Sequence, residues 1–433
     1  MILAHLPRQS KVAFEPRERI RARRDAAVAS IVAHAAATVP YYRDLFAREG
    51  IEARSFRSAE DLARLPLLEK EAVHRDPVRF VSESQAGRTA VPFMTSGTTG
   101  TPLEIRHDAR SLLANLAYGE RERGLIVEAC GAPGRVKELS VSYTPSTIHR
   151  VWEFYAEHAL LPVRPQRRMH SVLEPLDDLI TAIETERPDV LVGYGSSLDL
   201  LFRYLRETGR SMRPPKALLY VCDAMSEESR RRIESEHGVP VFSRYNAVEA
   251  FKVGFLCEHR EAFHVHEDLC HVRVVRPDGS AAAEGEVGEI VISNLVNRAT
   301  VLLNYRIGDL GSLREAPCTC GRSFPLLGDL DGRREDILLS TDRRYVHPRA
   351  IWGALKHARG LLRYQLVQRA HDAFDLRVVT TDEAAYRSIV DGPLAELERM
   401  LGPAARIDSL RVDAIALEGG GKFRTTVRRT GIA

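Results

Sequence analysis

The 433-residue chain has no uninterrupted apolar run near the roughly 18 residues that a membrane-spanning helix needs. Residues 1–8 contain no long apolar segment and no signal-cleavage pattern. Basic stretches interleaved with aromatic residues are also missing, and 62 basic residues are nearly balanced by 59 acidic ones. These absences predict a cytoplasmic protein that binds neither membranes nor nucleic acids.

The chain also lacks a Walker phosphate loop at its most phosphate-like segment, because Thr101 and Pro102 follow Gly100 where that motif needs a lysine. Residues 94–103 are nevertheless rich in glycine and hydroxyl side chains. Glycine permits a close approach of the backbone, and amides and hydroxyls are donors for phosphate oxygens. We therefore expect a nucleotide phosphate grip here, with an ordinary turn as the alternative. Its candidate residues are Thr95, Ser96, Gly97, Thr98, Thr99 and Gly100.

A lysine lies near the opposite end of the chain, where Lys422 follows three glycines at 419–421. A lysine on such a stem reaches a phosphate or carboxylate only after a domain closes over it. A disordered basic tail is the alternative explanation, because chain ends are often of that kind.

Two further segments place polar residues after predicted strands. Asp309 follows the strand-like residues 289–293 and 300–303, and an aspartate at a strand end can accept two hydrogen bonds from a ribose diol. Tyr245 and Glu249 follow the buried-strand pattern 239–242. Ligands of α/β folds bind at the carboxyl ends of parallel strands, and a glutamate oxygen suits Mg²⁺.

Together these four segments resemble the adenylate-forming superfamily, and more narrowly its phenylacetate–CoA ligase-like branch, over about nine-tenths of the chain. Residues 39–46 and 65–70 resemble the opening helices of that branch. The resemblance implies an α/β fold with a large N-terminal ATP- and acyl-binding domain, residues 1–331, that has parallel sheets and crossover helices. A small α+β lid, residues 332–433, would follow and rotate between reaction steps.

The reaction that the resemblance implies is ATP-dependent activation of a carboxylic acid to an acyl-adenylate, with release of pyrophosphate and Mg²⁺ as cofactor. A small aromatic acid is the default substrate of the branch. The acyl group would then pass to CoA, a carrier-protein thiol or an amine, and a homodimer is left open. Cations in a closed, dry site would stabilise the charge that builds up as the carboxylate attacks phosphorus.

The resemblance also implies a role for individual residues. The phosphate, nucleotide and Mg²⁺ contacts fall to Thr95, Ser96, Thr98, Thr99, Tyr245, Glu249 and Asp309. Arg333 would touch the ribose or phosphate, Glu335 would be the hinge, and Lys422 would reach the acyl carboxylate and α-phosphate. The acyl pocket is expected at Tyr194, Gly195, Ser196, Asn246 and Ala247.

Three positions depart from the pattern of the superfamily. Asn246 and Val248 stand where glycine and threonine are usual, and Asp223 opens a segment that usually begins with glycine. Asn246 is expected to narrow the acyl pocket or to bind a polar group of the substrate. These departures motivate a second hypothesis, a divergent non-catalytic relative that binds a nucleotide or an acyl group.

Six cysteines are present, and two of them form the C-x-C turn at 318–320. With Cys257 and a histidine they make a tetrahedral zinc set, predicted as Cys257, His264, Cys318 and Cys320 within residues 257–320. His259 or His266 could replace His264, and some members of the branch carry a zinc at this position. Free thiols are the alternative, and a zinc-stabilised interaction protein is a third hypothesis. Cys130, Cys222 and Cys270 are expected to be small core residues.

The remaining pattern alternates strands with helices, which is typical of parallel sheets. We expect N-terminal helices over 15–50 and 58–75, a helix around 112–117 that points at the phosphates, and strands at 189–195 and 217–221 followed by helices 198–207 and 226–237. In the lid we expect strands at 336–339, 364–367 and 376–379 and helices over 348–357 and 383–401.

Overall fold

A computed structural model describes residues 8–85, 90–95, 102–131, 136–143, 147–158, 167–328, 330, 336–346, 348–417 and 422–429. Its longer helices are α1 Arg17–Thr38, α2 Pro40–Glu49, α3 Lys70–Arg75, α4 Ala109–Tyr118, α5 Glu120–Ala129, α6 Thr147–His158, α7 Leu176–Glu186, α8 Gly195–Thr208, α9 Glu227–His237, α10 Pro348–Leu355, α11 Glu383–Asp391 and α12 Pro393–Leu401. None of the helices in the described ranges is long and apolar enough to cross a membrane.

The strands are β1 Ala90–Met94, β2 Glu104–Asp108, β3 Glu138–Ser142, β4 Arg167–Ser171, β5 Val190–Tyr194, β6 Ala217–Val221, β7 Val241–Tyr245, β8 Gly254–Leu256, β9 Phe263–Val265, β10 Cys270–Val275, β11 Val287–Asn294, β12 Tyr305–Arg314, β13 Leu326–Gly328, β14 Leu338–Leu339, β15 Tyr345–Val346, β16 Leu361–Gln368, β17 Ala373–Thr380, β18 Arg406–Arg411 and β19 Thr426–Arg428.

Eleven of these strands form one mixed sheet in the order β10-β11-β12-β13-β9-β8-β7-β6-β5-β3-β4. The half from β4 to β7 is parallel, and the half from β7 to β10 is antiparallel. Strand β5 is buried throughout, because apolar clusters cover both faces of the parallel half. The carboxyl ends of β5, β6 and β7 therefore share one edge, where α/β folds bind ligands.

The residues from 336 onward, which we call the lid, form a second sheet in the order β18-β17-β16-β19. Strands β16 and β17 are antiparallel, while β19 runs parallel to β16. Helices α10, α11 and α12 cover this sheet with an apolar core of its own. The expected boundary at 331/332 lies outside the described residues.

Most of the expected elements have close counterparts, with four differences. Between 58 and 75, only Lys70–Arg75 is α-helical, and Glu60–Arg64 is a short 3₁₀ helix. The single helix expected over 383–401 is two helices, because Gly392 interrupts it and Pro393 starts the next one. Residues 300–303 are not a strand.

The helix expected after the phosphate loop begins at Ala109 rather than near Leu112. Asp108 caps it, because its Oδ1 accepts the Ser111 N–H at 2.9 Å. We expected this helix to follow the loop directly, but strand β2 lies between them.

Candidate active site

A cavity of about 2100 Å³ lies between the carboxyl edge of the parallel strands and the lid. The described residues that line it include most of those predicted from the sequence: Thr95, Tyr194, Ser196, Tyr245, Asn246, Ala247, Glu249, Asp309 and Lys422. Residues far apart in the chain are thus brought to one chamber. Ser96, Gly97, Thr98, Thr99, Gly100, Arg333 and Glu335 lie outside the described residues.

Tyr245 and Asp309 are in direct contact in this cavity. The Tyr245 hydroxyl donates to Asp309 Oδ2 at 2.6 Å. We expected Asp309 at the end of a strand, but it lies inside β12. The pairing with β11 shifts there, so residues 307–309 lie opposite Ile290 alone. Gly308 adopts φ +86°, which glycine tolerates, and such a bulge aims a side chain out of the regular alternation.

Thr95 closes the base of the glycine- and threonine-rich segment. Its backbone N–H donates to the Leu103 carbonyl, and its Oγ1 accepts the Leu103 N–H, both at 2.9 Å. These two hydrogen bonds between the ends of the segment hold residues 95 and 103 side by side. Thr95 itself is buried at the cavity wall.

The segment 246–251, which carries the two departures from the family pattern, is a tight turn. In the amide orientation that satisfies both ends of its side chain, Asn246 Nδ2 donates to the carbonyls of Phe251 at 2.7 Å and Tyr245 at 3.1 Å. Phe251 has φ +59°, an uncommon value for an aromatic residue. The Asn246 nitrogen therefore stabilises a backbone turn at the wall of the cavity that Asn246 lines.

His107 packs against the same turn and bonds to its backbone. One of its ring nitrogens, Nε2, bonds to the Val248 carbonyl at 2.7 Å, and the ring lies 4.1 Å from that of Phe251. Burial lowers the pKa of His107 to about 4. The imidazole is neutral at neutral pH, so Nε2 carries the proton that the Val248 carbonyl accepts.

Glu249 sits at the end of this turn and is 8% exposed. Its backbone carbonyl accepts from Asn294 Nδ2 at 2.8 Å, which ties the turn to β11. The Glu249 side chain contributes to the cavity lining.

Lys422 of the lid faces the core domain near Cys222 and Asp223, which follow β6. Asp223 accepts from the Ser196 N–H at 3.1 Å, from Ser196 Oγ at 2.5 Å and from the Phe423 N–H. Burial raises the pKa of the Asp223 carboxyl. From the sequence, Asp223 was noted only as a weak family match, and its contact with the lid was not expected.

The cavity wall also contains a buried cluster of charged residues that the sequence pattern did not predict. Glu122 Oε1 lies 2.8 Å from both Lys252 Nζ and Arg244 Nε. Although burial alone would raise the pKa of Glu122, Arg244 and Lys252 hold it below its ordinary range. Two cations on one carboxylate leave this wall with an excess of positive charge. The three residues come from α5, β7 and the segment that follows β7, so no sequence motif links them.

One wall of the cavity is polar where a parallel strand is usually apolar. Glu138, Ser140 and Ser142 of β3 line the cavity on the same face of the sheet as Val190 and Val192 of β5. Ser142 Oγ is buried and has no hydrogen-bond partner among the described residues. A buried hydroxyl in that state is costly unless a ligand or water meets it.

One sequence expectation at this edge, a buried Cys222, is wrong, and the place of Gly195 in the acyl pocket stays a prediction. Gly195 is not among the described residues that line the cavity. A Cβ there would lie 2.7 Å from the Ala224 backbone, so the glycine permits helix α8 to approach that segment. Cys222 is exposed, with φ +75°, whereas Cys130 and Cys270 are buried as expected.

The predicted cysteine and histidine set is assembled beside the antiparallel half of the sheet. The ligand atoms of Cys257, His264, Cys318 and Cys320 all lie within 4.8 Å of one another. Cys257 Sγ is 3.9 Å from Cys318 Sγ, and Cys320 Sγ is 3.3 Å from His264 Nε2. A tetrahedron with ordinary zinc bonds has edges of about 3.8 and 3.6 Å for these atom pairs.

The choice among the three histidines is thereby narrowed to His264, the only one of them in this cluster of described residues. His266 is fully buried and points elsewhere, with Nε2 4.0 Å from Glu122 Oε2. The thiol of Cys257 also accepts the backbone N–H groups of His259 and Arg260. Burial raises the pKa of the Cys257 thiol, and these N–H donors act in the opposite direction, toward the thiolate form that a metal binds.

Comparison with known proteins finds relatives that match most of the chain. No family model matches the chain. Phenylacetate–coenzyme A ligase of Thermus thermophilus is 28% identical over 392 residues, which cover 87% of this chain and 83% of that ligase. The phenylacetate–coenzyme A ligase of Pseudomonas putida is 26% identical over 322 residues, or 71% of this chain and 69% of that ligase. The resemblance to the phenylacetate–CoA ligase-like branch is confirmed. The same relatives confirm the predicted enzyme class, an acid–CoA ligase-like adenylate-forming ligase.

Solved structures confirm the α/β fold class of this branch. A 2-hydroxyisobutyryl-CoA ligase in its postadenylation state has a TM-score of 0.74 at 18% identity, over 98% of this chain and 92% of that one. The same ligase in its thioesterification state has a TM-score of 0.59 at 20% identity, over 98% and 91%.

Proposed function

We propose that this chain activates a carboxylic acid with MgATP, releases pyrophosphate, and transfers the acyl group of the resulting adenylate to CoA. The observation that carries the proposal is the position of Lys422. This lid residue lines the same cavity as Thr95, Tyr245, Glu249 and Asp309, which come from three separate segments of the core domain.

Each of these residues has a chemical task in the adenylation step. Asp309 accepts from the ribose hydroxyls, Tyr245 holds the Asp309 carboxylate and flanks the adenine and acyl groups, and Glu249 provides an oxygen ligand for Mg²⁺. Lys422 places a cation where the acid meets the α-phosphate. Arg333 and the phosphate loop 95–100 belong to the same proposal. Preorganised charges of this kind stabilise the transition state far better in a closed cavity than in water.

A small aromatic acid remains the default substrate, and the cavity wall refines that expectation. The hydroxyls of Ser140 and Ser142, the Asn246 carbonyl and the cation cluster around Glu122 all favour an acid that carries a hydrogen-bonding substituent. An unsubstituted aryl or alkyl acid would leave the Ser142 hydroxyl without a partner. The acids to compare are therefore phenylacetate, benzoate, their hydroxylated forms and 2-hydroxyisobutyrate.

Zinc at Cys257, His264, Cys318 and Cys320 is the second part of the proposal. The donor set and the two measured separations fit a tetrahedral ion, and four protein ligands leave no open position. The ion would be structural. It would tie the turn after β8 and strand β9 to the 318–320 turn.

The test is a pyrophosphate-release screen with purified full-length protein, ATP and Mg²⁺, run with and without CoA. Acid-dependent release is expected with at least one member of the panel, and CoA is expected to speed turnover. ATP binding in calorimetry without pyrophosphate release from any acid would favour the divergent, non-catalytic relative instead. Replacing CoA by an amine or a carrier-protein thiol distinguishes the acceptors.

A further inference from the structure

Asp223 joins the core domain to the lid at the point where Lys422 enters the cavity. Its carboxylate accepts the Phe423 N–H, and Phe423 is the next residue after Lys422. The same carboxylate accepts two hydrogen bonds from Ser196 at the start of α8. Asp223 therefore fixes the backbone of the lid segment that carries the lysine.

The backbone before Asp223 is held in an uncommon conformation. Cys222 adopts φ +75°, and the Asp223 N–H donates to the Val221 carbonyl at 2.9 Å. These two features define a γ-turn directly after β6, a turn that is rare and strained for a residue with a side chain. The turn directs the Asp223 side chain toward Ser196 and the lid instead of continuing the strand.

The lid side of the contact is equally organised. The guanidinium of Arg363 in β16 lies 4.5 Å from the centre of the Phe423 ring. Arg363 is also within electrostatic range of Asp223 and Asp199 in the core domain. Phe423 is thus held by two contacts. Its N–H donates to Asp223, and its ring packs against the guanidinium of Arg363, which faces the same carboxylate.

A second docking contact lies at the other end of α8. The Gly360 N–H, just before β16, donates to Glu207 Oε2 at 2.9 Å. Ser196 and Glu207 are 11 residues apart in α8, which corresponds to roughly 17 Å along a helix. The lid strands β16 and β19 are neighbours. The lid thus bonds to α8 directly at Glu207 and, through Asp223, is linked to Ser196 at the start of the helix.

We propose that Asp223 is a positioning residue for adenylation, which holds Lys422 at the reacting groups by docking the Phe423 backbone, while Glu207 docks the same lid edge at a distance. This inference rests on the proposed function. It predicts that the adenylation step needs both docking contacts, whereas transfer to CoA, which follows lid rotation, does not.

The experiment measures the two steps separately in Asp223→Ala, Asp223→Asn and Glu207→Ala. Adenylation is followed as single-turnover pyrophosphate release with the best acid of the panel. Transfer is followed as CoA consumption from the chemically synthesised adenylate of that acid. Asp223→Ala is expected to slow adenylation about 10- to 100-fold, since a small misplacement of a catalytic group has effects of that size. Glu207→Ala is expected to slow it about fivefold, as for one lost hydrogen bond. Transfer should stay within about threefold in both.

Asp223→Asn keeps an oxygen that accepts the Phe423 N–H, so its adenylation rate should lie between those of the wild type and Asp223→Ala. The matched control is Asp189→Ala, because Asp189 accepts the Lys137 N–H at 2.9 Å and pairs with Lys216 at 2.8 Å, near the start of β5 and away from the lid. Both steps should be unchanged in this control.

Hydrogen–deuterium exchange gives a readout that needs no activity. Peptides covering 360–368 and 422–429 should exchange faster in Asp223→Ala than in the wild type or in Asp189→Ala. Unchanged exchange, or equal slowing of adenylation and transfer, would overturn the positioning role while leaving the proposed function intact. A wild type that releases no pyrophosphate with any acid would overturn the proposed function, and the exchange comparison would still decide whether Asp223 docks the lid.

Discussion

The hydroxyl of Tyr245 donates to Asp309 Oδ2 across 2.6 Å, and this bond joins the end of the parallel half of the sheet to a bulge in its antiparallel half. It fixes the orientation of the Asp309 carboxylate at the cavity wall. A diol that binds there meets a carboxylate whose orientation is already set.

We expect Asp309→Ala to raise KM for ATP about 100-fold, because a charged acceptor for two hydroxyls is lost. Tyr245→Phe should raise it about tenfold, since the carboxylate remains but is no longer oriented. Initial rates of pyrophosphate release against ATP concentration measure both. If the double variant equals the product of the single effects, the two residues act independently and the orienting role of Tyr245 is wrong.

Lys422→Ala should slow adenylation about 10²–10³-fold, as expected when one preorganised charge contact is removed. CoA transfer from supplied acyl-adenylate should change little, because the lysine acts in the first step. The matched control is Lys216→Ala, since Lys216 is about half exposed and pairs only at the far edge of the parallel strands with Asp189. Equal slowing of both steps in Lys422→Ala would contradict this assignment.

The purified protein should contain about one zinc ion per chain, because a four-ligand site holds a single ion. Cys257→Ser and Cys318→Ser should each lose the metal and lower Tm, as measured by plasma mass spectrometry and thermal unfolding. Cys130→Ser is the control, because Cys130 is a buried thiol near the Asp189 carbonyl and is not a member of the cluster. Full zinc content in Cys318→Ser would exclude this ligand set.

Asn246→Gly should change the relative rates with hydroxylated and unsubstituted acids, because it removes a polar oxygen from the cavity wall. It should also reduce stability, since the Asn246 amide holds the Phe251 turn. The measurement is the ratio of kcat/KM for matched pairs of acids, which is independent of the amount of active protein. An unchanged ratio would contradict a role of Asn246 in substrate choice.

Buried His107 should make stability depend on pH. Its pKa is lowered to about 4 by burial, below the ordinary value of 6.5, so the unfolded chain binds a proton more readily than the folded one. The resulting contribution is present above pH 6.5 and is lost as the pH falls toward 4, by about 2 kcal/mol at pH 5.

His107→Phe keeps an aromatic ring beside Phe93 and Phe251 but cannot titrate. Its free energy of unfolding, measured with denaturant at pH 7.5 and pH 5, should fall less between the two than that of the wild type. An equal fall in both proteins would assign the pH dependence to other groups.

The sequence by itself determined the parallel half of the fold and the chemistry of the site. Buried runs such as Val190–Tyr194 and Ala217–Val221 pack on both faces, and their period and flanking turns are local properties of the chain. Tyr245, Glu249 and Lys422 were predicted as site residues because their residue types and order match a family pattern. The C-x-C turn predicted a metal-binding set of cysteines.

The tertiary structure alone decided how these residues face one another. The bulge that aims Asp309, the γ-turn that aims Asp223, and the pairing of Glu122 with Arg244 and Lys252 depend on register and on contacts between distant segments. His264 was separated from His259 and His266 in the same way. The sequence gives the type of each residue directly. The direction of its side chain and its partners are fixed only when strands from different parts of the chain pair around a common cavity.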